Sequence, residues 1–182
     1  MDEPGSPSMR LQTPRLLLRP FAETDITPLH QLWTNLAVRR YLWDNIIIPP
    51  ERAAEVVRSS MEEWEIYGFG QWCVCDAASQ QLIGFCGFRH DEPGMPPELL
   101  YGLHPDWWGR GLATEAAAAA VAFGFCKKNF STVWAAAHPD NQQSLALLER
   151  LGMNFQQRRT LHGLQMLFYQ ITKQDWLQHH LC

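Results

Sequence analysis

The stretch HPDWWGRGLATEA, residues 104–116, sets Gly109 and Gly111 directly ahead of an alanine-rich run. Glycine accepts left-handed backbone angles, so a strand can hand over to a helix there in a tight turn. The amides of residues 109–114 can then converge on an anion beside the positive end of the helix dipole. Such a turn suits phosphate or pyrophosphate. A Walker loop is excluded because its terminal Gly-Lys-Ser/Thr is missing. A dinucleotide-binding fingerprint would put the turn in the first βαβ unit, whereas this one follows four expected strands.

Other candidates lie near by. Glu98 opens the run ELLYGL, residues 98–103, and Asn141 and Ser144 open DNQQSLALLERLG, residues 140–152. His104 and His138 could titrate near neutrality, but each precedes a proline at a strand end and reads equally as a turn residue. The five cysteines, Cys73, Cys75, Cys86, Cys126 and Cys182, are odd in number and lack a CxxC pair. Neither a disulfide framework nor a zinc site is suggested, and small core residues are the expectation. The seven histidines show no ligand spacing, so no metal is expected.

These residues need a scaffold. A chain of 182 residues can bury a core of its own. We expect one domain over residues 10–182, preceded by a disordered leader at 1–9, rich in Pro, Gly and Ser. Hydrophobic residues make up 46% and charged residues 19%, with a formal net charge of -4. That balance is globular and not basic enough for nucleic acid. No apolar run reaches the ~18 residues of a membrane span, and the N-terminus lacks signal-peptide regions, so a cytoplasmic location is expected.

RLLLR at 15–19 reads as a first strand ended by Pro20. Asp25 can cap a helix carrying Leu29, Leu32, Trp33 and Leu36, and a second helix begins at the prolines 49–50 and stops at Gly68. GQWCVCD, QLIGFCGF and ELLYGL follow as a meander of strands. Residues 113–129 hold seven alanines and no proline, which predicts a helix able to approach a sheet closely. TVWAAA reads as a strand buried on both faces. An Asp140 to Gln143 capping box would open the next helix, Gly152 would end it, FQQRR and LQMLFYQI form a hairpin, and Thr172 opens a terminal helix. The result is an α/β (α+β) fold, a mixed, mostly antiparallel sheet of about seven strands flanked by helices.

With these blocks in order, the chain resembles the GNAT N-acetyltransferase superfamily. The family's pyrophosphate loop, Q/R-x-x-G-x-G/A, falls on Trp108, Gly109, Arg110, Gly111, Leu112 and Ala113, with Trp108 in place of Gln or Arg. That replacement is itself found in the branch resembling Rim-type ribosomal-protein alanine N-acetyltransferases. LQTPRLLLRP, AVRRYL, QLIGFCGF, ELLYGLHPDWWGRGLATEA and HPDNQQSLALLERLGMNF carry the likeness across residues 11–155.

The resemblance implies that the amides from Gly109 to Thr114 hold the pyrophosphate of acetyl coenzyme A, and that small Ala113 admits it. Trp107 and Trp108 would wedge the turn against the core. Tyr101, Gly102 and Leu103 would pair with the pantetheine arm as an added strand does, aiming an amide at the thioester oxyanion. Asn141 and Ser144 would face the coenzyme near that arm, with Asp140 left to cap the helix. Glu98 matches a position where relatives keep a carboxylate in the cleft and is the first candidate for general base. Many relatives place an acidic tyrosine where this chain has Leu148. Ser144 is the best local substitute as donor to the leaving sulfur, with Tyr101 the alternative. A thiolate of pKa near ~8.5 can also leave unaided.

The expected reaction is acetyl transfer to a primary amine by direct attack in a ternary complex. A noncatalytic acyl coenzyme A binding module is the alternative. The acceptor is left open between a protein N-terminus and a small amine. Tyr41 and Trp43 could wall its pocket, and Arg39 and Arg40 would suit an acidic partner, whereas the net charge of -4 favours cations. A homodimer is possible on the sequence alone.

Overall fold

A computed structural model describes residues 9–90, 94–161 and 163–180. The leader assigned to 1–9 lies, apart from Met9, outside the described residues. The chain forms one eight-stranded sheet in the order β1-β2-β3-β4-β5-β6-β8-β7. Its strands are β1 (Leu11–Gln12), β2 (Leu16–Pro20), β3 (Gln71–Asp76), β4 (Leu82–Arg89), β5 (Glu98–Leu103), β6 (Thr132–Ala137), β7 (Asn154–Leu161) and β8 (Leu164–Thr172). All neighbours are antiparallel except β5 and β6, which run parallel. The strand beyond the seven expected is β1, two residues long, which owes its existence to pairing with β2 and carries no alternation of its own.

Helices cover both faces. On one face lie α1 (Ile26–Thr34), the single-turn α2 (Leu36–Arg39) and α3 (Pro50–Tyr67). They enclose a core of Leu29, Trp33, Val57, Cys73 and Phe85. On the other lie α4 (Leu112–Cys126), α5 (Gln142–Arg150) and the terminal α6 (Lys173–Leu177), over Trp72, Phe88, Leu99, Val133 and Ile171. Ala116, Ala117 and Ala120 of α4 are almost wholly buried, so its backbone rides close on the sheet. Each fully buried large apolar side chain contributes roughly 1.5–3 kcal/mol.

Local details depart from expectation. Asp25 sits at the start of α1 without capping it. Its carboxylate instead accepts from both Arg19 Nη atoms, each at 2.7 Å, and from the Ala22 amide at 2.8 Å. Strand β6 alternates between buried and half-buried residues, because only its α4 side is fully covered. The capping box on Asp140 and Gln143 does not form. Asn141 is the N-cap, its Oδ1 accepting from the Ser144 amide at 3.2 Å. Cys73, Cys75 and Cys86 are buried free thiols, and Cys126 is disulfide-bonded, which the count and spacing do not suggest. Among the described residues no helix is long and apolar enough to cross a membrane.

Candidate active site

The sheet opens in the middle. Strands β5 and β6 pair only at Glu98 opposite Trp134, where the Trp134 amide donates to the Pro97 carbonyl at 3.2 Å. Each remains paired to its outer neighbour along its length, β5 to β4 and β6 to β8. Beyond Glu98 the two strands therefore part, leaving a wedge-shaped cleft.

The pleat decides what lines this cleft. The His104 amide donates to the Ile83 carbonyl at 2.8 Å, continuing the ladder in which Gly84 faces Leu103. Antiparallel hydrogen bonds alternate, so Leu100 and Gly102 share this orientation towards β4. Tyr101 and Leu103 turn their amides and carbonyls the opposite way, into the opening. Gly102, expected among the arm-pairing residues, thus spends its backbone groups on β4. The Leu103 carbonyl is already taken, accepting from Trp108 Nε1 at 2.7 Å. This bond explains a tryptophan where relatives carry Gln or Arg: its indole N–H ties the loop to the strand end. Trp107 is half-buried against the core, whereas Trp108 is 37% exposed, so only the first wedges the turn as expected.

Past a 3-10 turn at Pro105–Trp107, the chain reaches Gly109 and Gly111, each with φ of 74°. No atom would crowd a Cβ at Gly109, and at Gly111 the nearest is Arg15 Nη2 at 3.7 Å. The demand for glycine here is one of backbone angle, not space. The first intrahelical bond of α4 runs from the Glu115 amide to the Gly111 carbonyl at 3.1 Å, and no side chain caps the helix. The amides of Gly111, Leu112, Ala113 and Thr114 thus precede the helical ladder. Residues 109–111 are exposed, while buried Leu112 anchors the turn. An uncapped helix start behind an exposed glycine turn fits a pyrophosphate. Arg110 turns its guanidinium over the Trp107 ring, 5.1 Å from the centroid, and donates to the Asp106 carbonyl at 3.0 Å.

Tyr101 points to the α4 and α5 face, where its hydroxyl lies 2.6 Å from Ser144 Oγ. Sequence reasoning named these two as separate alternatives, and the structure joins them. Burial pushes the Tyr101 phenol well above its usual range, with Ser144 opposing, so the phenol stays neutral and able to donate. Leu148, at the position of the expected tyrosine, is fully buried in the core. Glu98 is 4% exposed and lies at the paired end of the cleft, its Oε2 2.5 Å from Arg89 Nη2. By the same pleat it projects to the opposite face from Tyr101.

The segment between α2 and α3 crosses the mouth. The Tyr41 hydroxyl donates to the Asp140 carbonyl at 3.3 Å and its ring lies 5.5 Å from that of His138. Asn35, Leu36, Ala37, Arg40, Asn45 and Pro105 line a groove beside it. Trp43 packs inward against Trp33, as a core residue. His104 and His138 each accept the amide two residues on, from Asp106 and Asp140, and so serve their turns. Sequence reasoning missed the bonds that tie Thr13 and Arg15 to Glu115 at the start of α4. Both blocks were visible, but nothing in either indicates the other.

Residues 15–154 match the family described as Acetyltransferase (GNAT) domain. The chain is 28% identical over 143 residues to an uncharacterized N-acetyltransferase p20 of Bacillus licheniformis, covering 78% of this chain and 80% of the relative. It is 25% identical over 140 residues to spermidine N(1)-acetyltransferase of Escherichia coli K12, covering 75% and 72%. Among solved structures, ribosomal-protein-S5-alanine acetyltransferase from Vibrio fischeri shares the fold, with a TM-score of 0.76 at 16% identity over 92% of this chain and 98% of that one. The chain therefore belongs to the GNAT acetyltransferase family and is an acetyl-CoA-dependent acetyltransferase.

Proposed function

We propose that this enzyme moves the acetyl group of acetyl coenzyme A to a primary amine by direct attack in a ternary complex. The observation that carries the reading is the cleft itself: an exposed glycine turn at its mouth, unpaired backbone along one wall and the Tyr101–Ser144 pair inside.

The turn from Gly109 through Arg110, Gly111, Leu112, Ala113 and Thr114 holds the pyrophosphate on its amides, and Trp108 anchors it, its amide donating to the Pro105 carbonyl and its indole to that of Leu103. The pantetheine arm lies along β5, where the backbone of Tyr101 and the amide of Leu103 receive it. Asn141 spends its carbonyl oxygen on the helix cap and offers its amide nitrogen to the arm. The two faces of β5 divide the labour. The amine enters from the α1–α3 face, beneath Tyr41, where buried Glu98 accepts its proton through intervening water. The sulfur departs on the α5 face, where Tyr101 and Ser144 donate a hydrogen bond to it. A neutral phenol need not give up its proton to a thiolate of pKa near ~8.5, since the bond alone lowers the barrier. Spermidine and a peptide with an N-terminal alanine are the two acceptors to try, since one relative is a spermidine N(1)-acetyltransferase and one structural neighbour a ribosomal-protein-S5-alanine acetyltransferase.

Isothermal titration with acetyl coenzyme A tests the site. Wild type is expected to bind, and Gly111→Trp, which fills the turn, to lose that binding. A wild type that binds nothing would remove the proposal's support. Thiol release with each amine then identifies the acceptor.

A further inference from the structure

Arg15 sits on the turn between β1 and β2, far in sequence from the glycine turn, yet it holds two groups there. Its Nη1 donates to the Arg110 carbonyl at 2.9 Å. Its Nε and Nη2 reach Glu115 Oε2 at 2.7 and 2.5 Å. Glu115 Oε1 also accepts from Thr13 Oγ1 at 2.6 Å and from the Arg15 amide at 3.1 Å.

We infer that Arg15 is a positioning residue for coenzyme binding, fixing the direction of the Gly111 amide and neutralising Glu115 at the helix start. The inference rests on the coenzyme reading above. In a trans peptide the carbonyl and the following N–H point opposite ways. Holding the Arg110 carbonyl on the β1–β2 side therefore turns the Gly111 amide to the other side, where an anion can meet it. Gly111 lies in the left-handed region and its Cβ-less backbone can flip easily, so the peptide needs an external hold. The second contribution is electrostatic. Glu115 lies in the first turn of α4, where its charge would compete with a bound pyrophosphate for the same helix dipole. The Arg15 guanidinium offsets that charge with a two-point contact that lysine could not reproduce. Glu115 is held below the usual carboxylate range by Thr13 and Arg15, against the opposing effect of its burial, so it is ionised at neutral pH.

The test is calorimetric titration of coenzyme A into wild type, Arg15→Ala and the double variant Arg15→Ala/Glu115→Gln, with thermal melts of each. Arg15→Ala is expected to weaken binding about tenfold while the protein remains folded. In turnover the effect should fall on KM for acetyl coenzyme A, leaving KM for the amine unmoved. The double variant should recover about threefold, since glutamine keeps the shape and removes the charge. Arg15→Ala binding as wild type does, or a double variant no better than the single, overturns the assignment. A wild type that binds no coenzyme A would instead sink the coenzyme reading and the clamp with it.

Discussion

Tyr101 and Ser144 are 43 positions apart and meet at 2.6 Å because α5 packs back over the strand that carries Tyr101. If they act as one donor to the departing sulfur, Tyr101→Phe and Ser144→Ala should each lower kcat about tenfold to hundredfold. Removing both should cost little more than removing one, since members of a unit are not additive. Steady-state kinetics of the three variants decides it, and independent, multiplying losses would show that the pair is not one device. The residues of the glycine turn were legible because a left-handed angle is written in the residue type. This pair was not, since neither a serine nor a tyrosine announces its partner across the sheet. Glu98 was legible as a carboxylate opening ELLYGL, but its bond to Arg89 could be read only from the register of β4 on β5.

At the level of elements, periodicity and punctuation located nearly every helix and strand. Gly68 ends α3 and the alanine run is α4. What escaped was set by contact. Strand β1 is too short for a pattern, and α2 is a single turn. The start of α5 shows why a cap is hard to assign from residue type alone: Asp and Asn cap about equally well, and here they are adjacent. Geometry chooses Asn141, whose Oδ1 accepts from the Ser144 amide at 3.2 Å, while Asp140 belongs to the preceding turn, its amide donating to His138 Nδ1 at 3.1 Å. Asn141→Ala should therefore cost about 1 kcal/mol in denaturant unfolding, and Asp140→Ala much less. Equal losses would mean that the cap is shared. Because Ser144 hangs on that cap, Asn141→Ala should also raise KM for acetyl coenzyme A.

For the whole molecule, the sheet is two halves, β1–β5 and β6–β8–β7, joined as a ladder only at Glu98 and Trp134. What otherwise unites them is the core beneath α4, which takes Leu99 and Leu103 from one half and Val133 and Ile171 from the other. The resemblance to the GNAT family implies that ELLYGL and TVWAAA diverge at their ends, and they do, but the residues alone read as ordinary strands, because the parting depends on how far a parallel pair continues. On the proposed reading the coenzyme's arm takes the place of a middle strand, and a ligand that binds only the folded state stabilises it. At about a hundred times its dissociation constant such a ligand adds roughly 2.7 kcal/mol, which for a chain of this size is about 5–10 °C in Tm. Acetyl coenzyme A should produce that shift and should slow amide exchange most at Tyr101 and Leu103, whose N–H groups face the opening, while Gly102, already bonded to β4, slows only by the general stabilisation. Protection at Gly102 with none at its two neighbours would mean that the arm does not lie along β5.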